Sequence, residues 1–300
     1  MALNTKIKNF FSKSKSTHNI SVSLRQQSLA FCHIPDKGES KCQKVVNKNA
    51  VHSFSVLKKK HQLEGACQVV LSSEQYQIIQ VNKPNVPESE ILGALKWQVK
   101  DLVPYSPENM ILDYFDGPIL VGTAEKINVV CAELSVLKKI VERLKKEDLP
   151  VTMITIAEFA FAKLLPVQSS PCLLVCQRED EEILLLIVQD GHVYFHRRLR
   201  GYTQISTKSE DELAMTVIDS LSLEIQRSID YFERQLKQAP IKSIKVIIPI
   251  ANEGFLARKL AENTHIPVEL LSMPAGFELQ REFAVAIGAT RLNGMVVDNE

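Results

Sequence analysis

Glycine is scarce in this chain and never clustered: no two of its 11 glycines lie within four residues of each other. A loop that wraps phosphate needs neighbouring glycines, so that several backbone N–H groups can crowd one anion. Glycine-rich nucleotide loops are therefore excluded. Long apolar runs are also missing. The longest, Ile183 to Val188, is six residues, against the ~20 that a membrane-spanning helix requires. The first residues hold no apolar stretch of signal-peptide length, so a soluble chain that never crosses a membrane is expected. None of the six cysteines forms a CxxC pair, and no histidine stands at zinc-ligand spacing. Cys172 and Cys176 share one strand-like run, facing one side but too far apart to bond. All six are expected as buried free thiols in a reducing cytosol.

What is present is unevenly placed. Residues 1–60 carry twelve Lys and Arg against two acids, Asp36 and Glu39, while the rest carries 24 against 33. A segment of +10 ahead of a remainder of −9 points to a basic face or arm seeking an anionic surface. Residues 1–17 form a leader in which Leu3, Ile7, Phe10 and Phe11 fall at helical spacing among Lys6, Lys8, Lys13 and Lys15. Two readings stand: an amphipathic segment that touches anionic lipid through Phe10, Phe11 and Lys13, or a solvated tail.

Hydrophobic periodicity sets out the elements. Asn19–Ile34 reads as a hairpin around Arg25–Gln26–Gln27, and residues 35–62 as loops and edge strands. CQVVL and YQIIQV make a second strand pair. A helix runs from Glu88 to Leu102, with acids at its start, and stops before Pro104. Strands near Ile111–Phe115 and Ile127–Cys131 precede a charged amphipathic helix, Leu134–Lys146. A strand, Val151–Ile156, and a helix, Ala157–Leu165, lead to PVQSSP (166–171), the best linker in the chain. The second half opens with CLLVC, EILLLIV and HVYFHRRL, with a tight Asp190–Gly191 turn between the last two. A long helix spans 210–238. Strand Ile244–Ile248, helix Glu253–Glu262, strand Val268–Leu271 and helix Arg281–Arg291 follow. Each half begins with a hairpin-rich sheet and continues with alternating helices and strands, which indicates a duplicated α/β architecture.

Several runs carry a resemblance over about two thirds of the chain: IQVNKPNVPESEILGALKWQVKDLVPYSPENMILDYFDG, INVVCAELSVLKKIVERLKKEDLPVTMITIAEFAFAKLL, DGHVYFHRRLRG, EIQRSIDYFERQ and FAVAIGATRL. In this order they resemble PilM, the actin-like assembly protein of type IV pilus machines, and most of all its divergent MshI branch, of the MSHA pilus. The resemblance implies a two-lobed actin-like (ribonuclease H-like, duplicated) fold. The first lobe would span 18–166, with a small subdomain inserted at about 66–150, and the second 171–300. It also implies a cytoplasmic scaffold, peripheral at the inner membrane, that docks the N-terminal cytoplasmic peptide of a PilN-like membrane protein and connects to the motor ATPase.

Departures from the pattern are as informative. Actin-like ATPases hold phosphate and magnesium with loops rich in Asp and Gly. Here the corresponding positions read Arg25–Gln26, then Gln177–Arg178 followed by four acids, Glu179 to Glu182, then Pro249–Ile250. Four carboxylates beside a triphosphate would repel it. The expectation is a degenerate nucleotide site: no cofactor, no metal and no catalysis. Glu224 and Arg227 read as solvated helix-face charges, Asp230–Arg234 and Glu233–Lys237 as surface pairs, and His192 and His196 as surface histidines. The resemblance places Trp97, Lys100, Pro104 and Tyr105 in the inserted subdomain, beside the groove for the partner peptide. A lone tryptophan on an amphipathic helix is either packed core or a peptide anchor. Three other functions compete: a working actin-like ATPase, with Arg25 or Arg178 on phosphate; a GspL-like type II secretion component, which would continue into a membrane helix; and nucleic-acid binding, disfavoured because Arg25 is the only arginine among the first sixty residues.

Overall fold

The computed structural model describes residues 18–35, 38–46, 53–118 and 124–292. Two compact units emerge. One holds residues up to Asp116, Ala124–Ala160 and the chain from Val285, and the other centres on Phe161–Ala284.

The first unit is built on a five-stranded sheet. Strands β1 (His18–Leu24), β2 (Ser28–Pro35) and β3 (Lys41–Val46) form an antiparallel meander. A short helix, α1 (Phe54–Lys59), buries Phe54 and Leu57. It falls where only loops and edge strands were expected, because six residues are too few to display a helical period. Strand β4 (Cys67–Val70) then runs parallel to β1. The chain leaves the sheet for an insertion: β5 (Tyr76–Asn82), α2 (Glu88–Val99), β6 (Met110–Asp116) and β7 (Lys126–Glu133). Its three strands pair antiparallel in the order β5-β7-β6. Strand alternation divides β7 between two cores. Ile127, Val129 and Cys131 meet Ile91, Leu95 and Val99 of α2, while Val130 and Ala132 join the core of the main sheet.

Helix α3 (Leu134–Lys146) falls where its periodicity put it and packs Leu137, Ile140, Val141 and Leu144 inward. Strand β8 (Val151–Thr155) closes the sheet, in the order β3-β2-β1-β4-β8. Helix α4 (Ala157–Ala162) follows. Its Glu158 is fully buried and accepts a hydrogen bond from the Tyr76 hydroxyl at 2.6 Å. That bond ties the insertion to α4, where an unpartnered buried carboxyl would be costly.

The second unit repeats the plan. Strands β9 (Cys172–Cys176), β10 (Ile183–Gln189) and β11 (His192–Leu199) form a meander. Asp190 and Gly191 both have positive φ, 51° and 74°, as a tight two-residue turn demands. The long helix breaks in two, α5 (Glu210–Thr216) and α6 (Ile218–Asp230), and ends in a π-helical turn, Tyr231–Gln235. At the break Thr216 Oγ1 donates to the Glu212 carbonyl and Ser220 Oγ to that of Val217. Such back-bonds compete with the helical ladder and bend it. Strand β12 (Ser243–Ile247), helix α7 (Glu253–Asn263) and strand β13 (Val268–Leu270) complete a sheet of order β11-β10-β9-β12-β13. β12 is parallel to both neighbours, and every residue of β9 is buried, as a central strand covered on both faces requires.

The last helix, α8 (Ala284–Thr290), returns to the first unit. Ser21 Oγ donates to the Ala286 carbonyl at 2.5 Å and Gln68 Nε2 to that of Leu292 at 3.2 Å. An apolar helix does not reveal in sequence which sheet it covers, so this return is visible only in the fold.

The cysteine expectation needs one correction. Cys32 and Cys42 stand directly opposite in the β2–β3 register, with Cα atoms 4.1 Å apart, and are joined as a disulfide. Strand register, unreadable from spacing, brings them together. Cys67, Cys131, Cys172 and Cys176 are free and buried. Burial pushes the Cys67 and Cys131 thiols up to about 12.

Candidate functional site

Open α/β sheets bind ligands beyond the carboxyl ends of their strands, and the expected phosphate loops lie there. In the first unit Arg25 N donates to the Ser28 carbonyl at 2.9 Å, closing the β1–β2 turn. Arg25 itself is buried. Gln26 is exposed, and its amide bonds the Glu74 carboxylate.

The second unit brings Gln177–Arg178 beside Pro249–Ile250, because β9 and β12 are parallel neighbours and Gln177 N donates to the Ile247 carbonyl at 3.0 Å. Gln177 and Arg178 are both buried. Gln177 Nε2 donates to the carbonyls of Glu181 and Tyr202, at 2.7 and 2.8 Å. Arg178 Nε reaches Glu181 Oε2 at 2.9 Å, and Arg198 lies 3.9 Å from the same oxygen. Glu182 accepts from the backbone N–H of Gly201 and of Tyr202, both at 3.2 Å. The run Glu179–Glu182 is therefore not a bare acidic block, as sequence had implied. Glu181 is buried against arginine, and half-buried Glu182 accepts from a pair of backbone amides of the kind that holds anions.

The turn after β12 is filled in the same way. Ile248 N donates to Glu253 Oε1 at 2.6 Å. Arg281 grips both oxygens of Glu253 and also donates to the carbonyls of Leu271 and Val246, at 2.7 and 3.1 Å. Glu253 is 5% exposed, so this pair works at low dielectric, where a bidentate charge-assisted arrangement is strongest. Sequence reading missed both residues. The available signal was an acid opening the helix just after a buried strand, where the helix dipole favours it. Beneath the turn after β11 lies a cavity of about 180 Å³, lined by Tyr202, Gln204, Ile205 and Lys208 among others. It is smaller than the ~300 Å³ at which small-molecule sites begin.

The remaining charges are more engaged than expected. Glu224 is bridged by Arg197 and by Arg227, the latter at 2.7 Å, so it is not a solvated face charge. Asp230–Arg234 forms at 3.3 Å, but Glu233 Oε1 takes the Ile241 N–H at 2.8 Å instead of pairing with Lys237. Among the described residues no cluster of His, Cys, Asp and Glu is arranged to hold a metal. No described helix is long and apolar enough to cross a membrane.

The inserted subdomain presents the other candidate surface. Trp97 is 65% exposed, which settles the choice between core and surface. Lys100 Nζ lies 5.6 Å from the ring centroid. One turn earlier on the same helical face, Gly93 is open: a Cβ there would meet nothing within 4 Å. Leu102, 56% exposed, and exposed Pro104 continue the surface. Tyr105 is half-buried: its ring packs against the α2 core, and burial raises its hydroxyl pKa. Phe10, Phe11 and Lys13 lie outside the described residues.

Two lobes, each a three-stranded meander followed by two parallel strands, with a subdomain inserted in the first, define an actin-like fold. Solved structures agree. A chain of a PilM–PilN type IV pilus biogenesis complex superposes with TM-score 0.68 and 16% identity, over 90% of this chain and 97% of that one. The cytoplasmic domain of EpsL, an inner-membrane component of the Vibrio cholerae type II secretion system, gives TM-score 0.52 and 12% identity over 82% and 94%. A Bacteroides thetaiotaomicron protein of actin-like ATPase fold and unknown function gives 0.50 and 10% over 93% and 98%. No protein-family model and no curated protein sequence matches the chain.

Proposed function

We propose that this chain is a non-catalytic docking protein of a type IV pilus machine, of the MSHA type, working at the cytoplasmic face of the inner membrane. It would bind the N-terminal cytoplasmic peptide of a PilN-like membrane protein through the first lobe, with Trp97 as anchor, and so link the membrane complex to the motor ATPase. One observation carries the reading: the strand-end amides of the second lobe are taken by the chain's own carboxylates, Glu182 and Glu253. A phosphate approaching them would have to displace an internal anion and break the Glu253–Arg281 pair. Exposed Trp97, set beside the open position at Gly93, supports the peptide side. Titration of the full chain with the partner's N-terminal peptide tests it. Saturable binding that is lost in Trp97→Ala is the expected result. No binding at high micromolar concentration sinks the proposal.

A further inference from the structure

Five of the twelve basic residues among the first sixty lie on described elements near one edge of the first sheet. Strand β3 is the outermost strand of its sheet, and α1 ends at Lys58–Lys59 with Lys60 as its C-cap. Within the described residues 38–64 stand Lys41, Lys44, Lys58, Lys59 and Lys60, against Glu39 and Glu64. Glu64 is spent on Lys58, at 3.4 Å. Lys41, Lys59 and Lys60 are exposed. Strand and helix end converge on one ring. The His61 ring packs tilted against Phe31, with centroids 4.9 Å apart, and its pKa is lowered by burial first, then by the charges of Lys41 and Lys60. In the β2–β3 register Lys41 stands opposite His33, two residues along the strand from Phe31, so the lysine of the edge strand and the turn after α1 meet at this ring pair.

We infer that this face of the first lobe, centred on Lys41, Lys59 and Lys60, lies against an anionic phospholipid bilayer. The inference rests on the reading that the chain works at a membrane face, and it names the side turned to the lipid. Charge complementarity selects the partner. Lysine is a compact, strongly hydrated point charge on a flexible stem that suits a plane of mobile headgroups. A nucleic-acid site would use arginine forks and exposed aromatics. Here Arg25 is buried, Phe54 is buried and the His61 ring is packed against Phe31.

Vesicle co-sedimentation of the full chain tests this. Binding is expected to phosphatidylcholine vesicles containing about a third phosphatidylglycerol and not to phosphatidylcholine alone, and to fade as ionic strength rises about tenfold. Each lysine contributes roughly fivefold, so Lys41→Glu, Lys59→Glu and Lys60→Glu together should weaken partitioning about 100-fold or more. The leader stays intact in that variant, and its melting temperature should be unchanged. Undiminished binding by the triple variant would overturn the inference, as would equal binding to neutral vesicles or tighter binding to duplex DNA than to anionic vesicles. The peptide titration, run without vesicles, is independent. A chain that binds peptide but ignores lipid loses only this inference, and one that binds lipid but no peptide loses only the docking reading.

Discussion

The two lobes share a sheet plan and differ in what they hang on it. In the first, the path from fourth to fifth strand, β4 to β8, carries a whole subdomain; in the second, β12 to β13 carries only α7. The second lobe instead lengthens the step from third to fourth strand, with α5 and α6, where the first has short α1. The first lobe exposes Trp97, whereas in the second the loop carboxylates of Glu181, Glu182 and Glu253 are held by the lobe's own arginines and backbone amides.

Breaking the second lobe's internal pair should have the largest effect. Arg281→Met leaves Glu253 buried and uncompensated, and should lower stability by about 3–5 kcal/mol in urea unfolding. Adding Glu253→Leu should recover much of that loss. Little change in the single variant would mean that the pair is not structural. Next comes the β2–β3 disulfide in the first lobe. It closes a loop with a sequence separation of 10, so reduction should cost about 2–3 kcal/mol. Thiol labelling of the native oxidised chain should spare Cys67, Cys131, Cys172 and Cys176. Asp113, on β6, gives a pH-resolved test. Burial raises its carboxyl to about 6, above the unfolded value of about 3.9. Its cost to folding is therefore absent below the unfolded value and complete once pH has risen past the folded one. Asp113→Asn should stabilise the first lobe at mildly alkaline pH, by up to about 2 kcal/mol, and the gain should vanish at strongly acid pH. The smallest stability effect belongs to Trp97→Ala: within about 0.5 kcal/mol, while peptide affinity falls tenfold or more.

Sequence carried the plan further than the site. Apolar periodicity located α3 to the residue, and the Asp190–Gly191 turn was plain from its chemistry. The missing glycines pointed to altered phosphate loops. What could not be read was long-range pairing. Cys32 meets Cys42 through register, Arg281 meets Glu253 through the fold of the second lobe, and α8 crosses back to the first sheet. Trp97 was ambiguous for another reason. Helical period allots a residue to a face, but the exposure of that face depends on what the rest of the chain leaves uncovered.

Calorimetric titration of the full chain with Mg-ATP goes straight to the claim that the second lobe's own carboxylates occupy its anion-holding amides. The account predicts no saturable heat at millimolar nucleotide, with Arg281 undisturbed. A saturable heat, together with a structure in which phosphate has replaced Glu253 at the Ile248 amide, would contradict it.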